Sequence, residues 1–166
     1  MTYQRLTADD LIDRAEIVDT VHRYASGIDR CDWTMYRSIF ADEVLFDFSS
    51  WSGAPAAPMA ADDWVARVGG TLSLFDSTQH LLSNHRITLD GDAAQCVTYM
   101  IALHHLVTGD VREMHAIGGF YTNRLKLTDE GWRIVACTLT VTWEMGDRGL
   151  FQRAADRGRR RPAGKA

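Results

Sequence analysis

The sequence predicts an α+β fold in which helices, gathered in the first part of the chain, pack on one face of a curved sheet. Two observations carry this: apolar residues recur at helical spacing before residue 70, and four long β-favouring runs separated by short glycine-containing turns follow residue 77. With 166 residues the chain suits one domain with room for a buried core and is short for two. Residues 1–148 are read as that domain, and 149–166 as a basic, solvated tail.

Thr7-Ala8-Asp9-Asp10 reads as a helix start, with a hydroxyl at the N-cap and acids in the first turn. Leu11, Ala15, Val18, Val21, Ala25 and Ile28 then recur at steps of three and four, which predicts one amphipathic helix with Gly27 near its end. Asp32 is placed to cap a second, shorter helix over about Trp33–Phe40, and Val44–Phe48 reads as a strand. Ser49–Met59 contains Gly53 and two of the three prolines, so a loop is expected. Ala61–Val68 looks like another short helix, closed by Gly69-Gly70. Thr78–Leu89, Gln95–Val107, Val111–Leu127 and Trp132–Glu144 are the β-favouring runs, and the turns between them imply antiparallel hairpins. Gly118-Gly119 lies inside a run, where paired glycines suggest a bulge or a close approach by a ligand or helix.

The net charge of −4 hides an asymmetry. Residues 153–166 hold six of the 18 basic groups against one acid, so the rest of the chain is strongly acidic and should repel nucleic acid. No apolar run is long enough to span a bilayer, and Met1–Leu6 lacks the layout of a secretion signal, so no membrane partner and a cytoplasmic address are expected. Cys31, Cys96 and Cys137 are odd in number and widely spaced, which argues for structural thiols rather than disulfides.

Histidine titrates near neutrality, so a histidine in an apolar pocket is a candidate acid-base group. Five of the six histidines fall in the β-favouring region. With a period of two, His80, Leu82 and Asn84 share one strand face, while Leu81, Ser83 and His85 share the other. His104 likewise sits with Met100 and Ala102, and His105 with Tyr99 and Ile101. Adjacent histidines therefore diverge; with no HExxH and no acidic cluster at ligand spacing, no metal is expected. Asp29 follows the apolar stripe at the end of the first helix. A carboxylate there could orient a histidine through its Nδ1 hydrogen, although spacing alone does not bring the two together.

The segments Tyr24-Ala25-Ser26-Gly27-Ile28-Asp29-Arg30-Cys31-Asp32-Trp33, Phe40-Ala41-Asp42-Glu43-Val44, Thr78-Gln79-His80, Gly118-Gly119-Phe120-Tyr121 and Gly131-Trp132-Arg133 resemble the SnoaL-like branch of the nuclear transport factor 2-like superfamily. The likeness runs from about Ala15 to Gly146 and is greatest to scytalone dehydratase, bile acid 7α-dehydratase and hexachlorocyclohexane dehydrochlorinase. It implies a cone-shaped fold with helices on the concave face of the sheet, a deep apolar pocket, a small-molecule substrate, no cofactor, and a homodimer or homotrimer. By the same resemblance Asp29 and His80 fall on the general-base pair, His104 on a second pocket histidine and Tyr24 on a pocket tyrosine. Ile28 and Phe48 stand where scytalone dehydratase has two carbonyl-polarising tyrosines, which argues against scytalone as substrate. That electrophilic role is open to Tyr24, Tyr99 or Tyr121, and Phe48 joins these three as an expected substrate contact.

The reading that follows is a cofactor-independent lyase of dehydratase type acting on a small cyclic apolar substrate of polyketide, steroid or terpene kind. Asp29, His80 and His104 are its expected catalytic residues. The alternatives are an isomerase or polyketide cyclase using the same dyad, and a non-catalytic binding or assembly module, in which Asp29 and His80 would lie out of hydrogen-bond reach or be filled over by apolar side chains.

Overall fold

The computed structural model describes residues 5–160. Helix α1 (Ala8–Asp29) opens with a capping box in which the Thr7 hydroxyl accepts from the Asp10 N–H and the Asp10 carboxylate accepts from the Thr7 N–H. Its buried residues are Ile17, Thr20, Val21, Tyr24, Gly27 and Ile28, a stripe rotated from the expected one. The first two turns project past the sheet and leave Leu11 56% exposed. Gly27 is required by close packing, since a Cβ there would lie 2.9 Å from the backbone nitrogen of Tyr36 in α2 (Trp33–Ser38). Asp32 caps α2 by accepting from the Met35 N–H at 2.9 Å.

Strand β1 (Phe40–Asp47) starts earlier than the apolar run suggests and takes Phe40 from the expected helix, because it pairs in parallel with β6 (Gly131–Met145), with Phe40 opposite Ile134. The expected loop resolves into α3 (Ser49–Ser52), a turn with Gly53 at φ 73°, and β2 (Ala57–Ala60). Pro58 is tolerated in β2 because that strand is a sheet edge. Helix α4 (Ala61–Leu72) runs through Gly69-Gly70 rather than ending there; Gly69 packs under the Trp33 ring, so it serves close packing and not termination.

Strands β3 (Ser77–Asp90), β4 (Ala93–Thr108), β5 (Val111–Thr128) and β6 form the expected antiparallel meander. The six-stranded mixed sheet has the order β2-β1-β6-β5-β4-β3, and it is curved and open. Alternation is clean in β4, where Cys96, Thr98, Met100, Ala102, His104 and Leu106 all turn inward. Register shifts break it elsewhere, at Phe40–Leu45, Ser83–Arg86, Gly118–Gly119 and Arg124–Leu125, and two of them bear on the expectations above. A bulge between Gly118 and Gly119 lets the Trp143 ring lie over Gly118, so a side chain and not a ligand or helix makes the close approach. A second, between Ser83 and Arg86, holds Asn84 at φ 54° and reverses the parity of β3. His85 is thereby on the inner side, contrary to simple alternation, where Nδ1 meets the Thr98 hydroxyl at 2.8 Å and Nε2 meets His22 Nε2 at 3.1 Å.

The largest departure lies at the C-terminus. Leu150–Arg160, expected as part of a solvated tail, forms helix α5. Leu150 and Ala154 are buried with Phe75 and Leu106 in a second apolar cluster. The arginines that suggested solvation are engaged: Arg157 meets Asp76 at 2.6 Å and the carbonyls of Leu74 and Val107, while Arg153 bridges Glu113 and Asp147. Local composition concealed an amphipathic helix whose polar face has acidic partners distant in sequence. Residues 161–166 of the expected tail lie outside the described residues. No helix among the described residues is long and apolar enough to cross a membrane.

Replacing Leu150 with Ala should destabilise the protein by about 2–5 kcal/mol, the usual cost of a cavity at a buried leucine. Urea unfolding checks this, and an unchanged midpoint would return α5 to the status of a loose appendage.

Candidate active site

The site begins at the C-terminal end of α1. Strand β3 is the edge opposite β2, so every second backbone N–H along it faces away from the sheet and needs a partner. Asp29 supplies one: its Oδ2 accepts the His80 N–H at 2.7 Å, while its Oδ1 accepts from His80 Nδ1 at 2.7 Å and from the Thr78 hydroxyl at 3.0 Å. The His80 side chain is 4% exposed and that of Asp29 20%. Burial works against the Asp29 charge, but the hydrogen bonds from His80 and Thr78 and the attraction of the His80 ring outweigh it and hold the carboxyl below its ordinary pKa. An ionised Asp29 can only accept, so His80 carries its hydrogen on Nδ1 and keeps Nε2 as the basic nitrogen.

His80 lines a cavity of about 330 Å³ between the sheet, α1, α3, α4 and α5, within the size range of small-molecule sites. Its wall is mainly apolar, with Phe48, Trp64, Met100 and Ile117 among its members. His104 also lines it, on β4, with its ring centroid 6.1 Å from that of His80. Burial, reinforced by the nearby His80 and His115 rings, pushes the His104 pKa down to about 3. The ring is therefore neutral at neutral pH, and its buried Nδ1 has no hydrogen-bond partner among the described residues.

Tyr24 and Tyr121 are buried in the same wall, and the Tyr24 hydroxyl donates to that of Tyr121 at 3.4 Å. Burial raises both phenols, so both stay protonated. Tyr99 does not belong with them. It lies on the outer sheet face, 50% exposed and packed edge-on against Phe120, because its parity in β4 is opposite to that of His104. Tyr99 is thus removed from the expected substrate contacts, whereas Tyr24, Phe48 and Tyr121 line the cavity.

Three wall or near-wall residues were missed from sequence. Phe151 comes from α5 and packs 4.8 Å from the His104 ring and 5.5 Å from Trp51, ring centroid to centroid. Arg67 lies on the cavity side of α4, and its position between Trp64 and Thr71 at helical spacing was the available signal. His115, opposite His104 in the β4–β5 register, is buried with Nε2 3.3 Å from the Glu144 carboxylate but not hydrogen-bonded to it. Among the described residues no three His, Cys, Asp or Glu side chains converge as metal ligands.

Asp29→Asn leaves one acceptor oxygen for three donors, and at neutral pH should lower stability by about 1–3 kcal/mol. Because the folded pKa of Asp29 is depressed, its contribution is complete above the unfolded value of about 3.9 and is lost as pH falls through the lower folded value. The variant should therefore show a shallower acid limb in urea unfolding measured across pH; superimposable curves would contradict the role given to Asp29.

No curated protein matches the chain. Among solved structures, the Kfla4162 protein from Kribbella flavida is 29% identical, with 86% of this chain and 97% of that one covered at a TM-score of 0.79. A candidate scytalone dehydratase from Novosphingobium aromaticivorans is 17% identical over 86% of this chain and 93% of its own, at a TM-score of 0.73. The LinA-type3 hexachlorocyclohexane dehydrochlorinase from Novosphingobium barchaimii is 21% identical over 85% and 94%, at 0.68. At those identities the last two likenesses are of fold. The SnoaL-like domain family matches residues 9–138, from the start of α1 into β6, and the chain belongs to that family.

Proposed function

We propose that the protein is a cofactor-independent lyase that removes water from a small, mostly apolar, cyclic hydroxy-carbonyl compound of polyketide, steroid or terpene type. The observation that carries this reading is the 2.7 Å contact between Asp29 and His80 Nδ1 on the wall of an apolar cavity. A non-catalytic module could use the Asp29 contacts to the Thr78 hydroxyl and the His80 N–H, but has no need of the histidine ring turned into the cavity. Membership of the SnoaL-like family and a fold neighbour that is a dehydrochlorinase support an elimination reading.

In the proposed reaction His80 Nε2 takes the proton from the carbon next to the carbonyl, and Asp29 stabilises the imidazolium that results. The electron pair left on carbon forms the new double bond and expels hydroxide from the adjacent carbon. His80 returns its proton to that hydroxide, so the products are the unsaturated carbonyl compound and water, and the base is restored. His104, neutral with a pKa of about 3, is suited to holding the leaving oxygen by a hydrogen bond rather than protonating it as a cation. Tyr121, whose hydroxyl already accepts from Tyr24, is the donor best placed to polarise the carbonyl. The reading includes self-association as a homodimer or homotrimer through the outer sheet face, where Leu81, Tyr99, Ile101 and Trp143 are exposed.

Incubation with a panel of cyclic β-hydroxy ketones, followed by mass spectrometry, should reveal a product lighter by one water. His80→Ala should reduce its formation by about 10²- to 10⁴-fold. A product of unchanged mass would assign the dyad to isomerisation or cyclisation instead, and full turnover by the variant would remove His80 as the base. Light scattering should return two or three chain masses, with a lower value for Tyr99→Lys; a monomeric wild type would refute the assembly.

A further inference from the structure

One permanently charged side chain stands in the cavity wall. Of the described residues lining the cavity, Arg67 alone carries a fixed charge; the other polar groups are hydroxyls, the indole N–H groups of Trp51 and Trp64, and the imidazoles of His80 and His104. Its place follows from helix geometry. Trp64, Arg67, Val68, Thr71 and Leu72 lie at steps of three, four, seven and eight from Trp64, so they form the stripe of α4 that faces the cavity. An arginine on an otherwise apolar stripe calls for a partner or for open water.

Neighbouring arginines have partners. Arg37 on α2 pairs with Asp42 and Asp62, and Arg148 lies 3.6 Å above the Trp51 ring and approaches Glu144. Arg67 makes no ion pair among the described residues, and its surroundings in the wall include the hydroxyls of Ser52 and Thr71 but no carboxylate. Arg67 is exposed and also belongs to the lining, so the residue stands where the cavity meets solvent, while buried His104 lies inside. The cavity therefore has a neutral, hydrogen-bonding interior, apolar walls and a cationic rim.

We propose that the ligand of this cavity is an amphipathic carboxylate: an apolar ring system held within the wall, with its anionic end at Arg67. A planar guanidinium matches a carboxylate in a two-point contact and carries its charge across the whole accessible pH range. The carboxylate would rest at the rim, where it keeps part of its hydration, and the ring would displace water from the apolar interior. One end of the molecule is thus fixed at the solvent side and the other is directed inward. That the inward end carries the reacting carbon rests on the lyase reading; the binding preference does not.

The test uses the neutral fluorophore N-phenyl-1-naphthylamine as a cavity reporter, displaced by 2-naphthoate or by 2-naphthamide, a pair that shares one ring system and differs in charge. Wild-type protein should bind the carboxylate more tightly than the amide, and added salt should weaken only the carboxylate. Arg67→Gln should weaken 2-naphthoate by about three- to tenfold and leave 2-naphthamide unchanged, with Arg67→Lys, which keeps the charge but not the two-point contact, restoring only part of the difference. Thermal unfolding of the variants should match wild type, since the residue is exposed. Equal loss of both competitors in Arg67→Gln would mean that the arginine stem merely covers apolar surface, and would overturn the proposal. So would equal binding of the pair by wild type, or failure of the reporter to bind. His80→Ala should keep the carboxylate preference whether or not it abolishes turnover, which separates failure of this proposal from failure of the lyase reading.

Discussion

The Asp29 carboxylate is the joint on which the site depends. Three donors from one edge strand converge on its two oxygens: the His80 backbone, the His80 ring and the Thr78 hydroxyl. A single group thereby covers part of an open sheet edge, anchors the end of a 22-residue helix, and selects the histidine tautomer that faces the cavity. Partial burial strengthens each of these contacts and would be costly if any donor were lost. The helix can deliver the carboxylate there because Gly27 lets α2 pack against its last turn, and because Cys31 adopts a left-handed backbone conformation just after it.

The cavity is an outcome of layers that do not quite close. Inward residues of β4 and β5 form its floor, α4 and α3 form one side, and α5 contributes Phe151 to the wall. The aromatic groups meet at angles rather than stacking flat, apart from Phe46 on Trp64 at 4.0 Å, so they seal the core while leaving the space between His80, His104 and Tyr121 unfilled. Polar groups in that space are few and each is held in a defined state. Asp29 is kept ionised by its donors, His104 neutral by burial, and the two tyrosines protonated by burial. Such separation of charge states by environment is the condition that the proposed proton transfer needs.

Period-two alternation placed His104, Met100 and Ala102 on one face and Tyr99 on the other, and the structure has them so. The same rule failed for His85, because the bulge at Ser83–Arg86 adds a residue; Asn84, a residue type tolerant of the left-handed region, was the one local sign of it. Capping chemistry at Thr7 and Asp32 was legible because it is written within three residues of chain. The helical stripe of α1 was legible in existence but not in orientation: which apolar residues are buried depends on where the sheet ends, and Leu11 projects past it.

The sequence by itself determined α1, α2 and α4, the strand β1, the hairpin order of β3 to β6 and the family, since these rest on periodicity, turn residues and short motifs. Only the tertiary structure decided that Asp29 reaches His80 across 51 positions of chain. It alone turned the arginine-rich end into α5, and it alone set Arg67 on a cavity wall. The physical reason is common to all three. Whether a charge is solvated, paired or poised is a property of groups far away along the chain, and the local pattern around Asp29, Arg67 or Arg157 does not carry it.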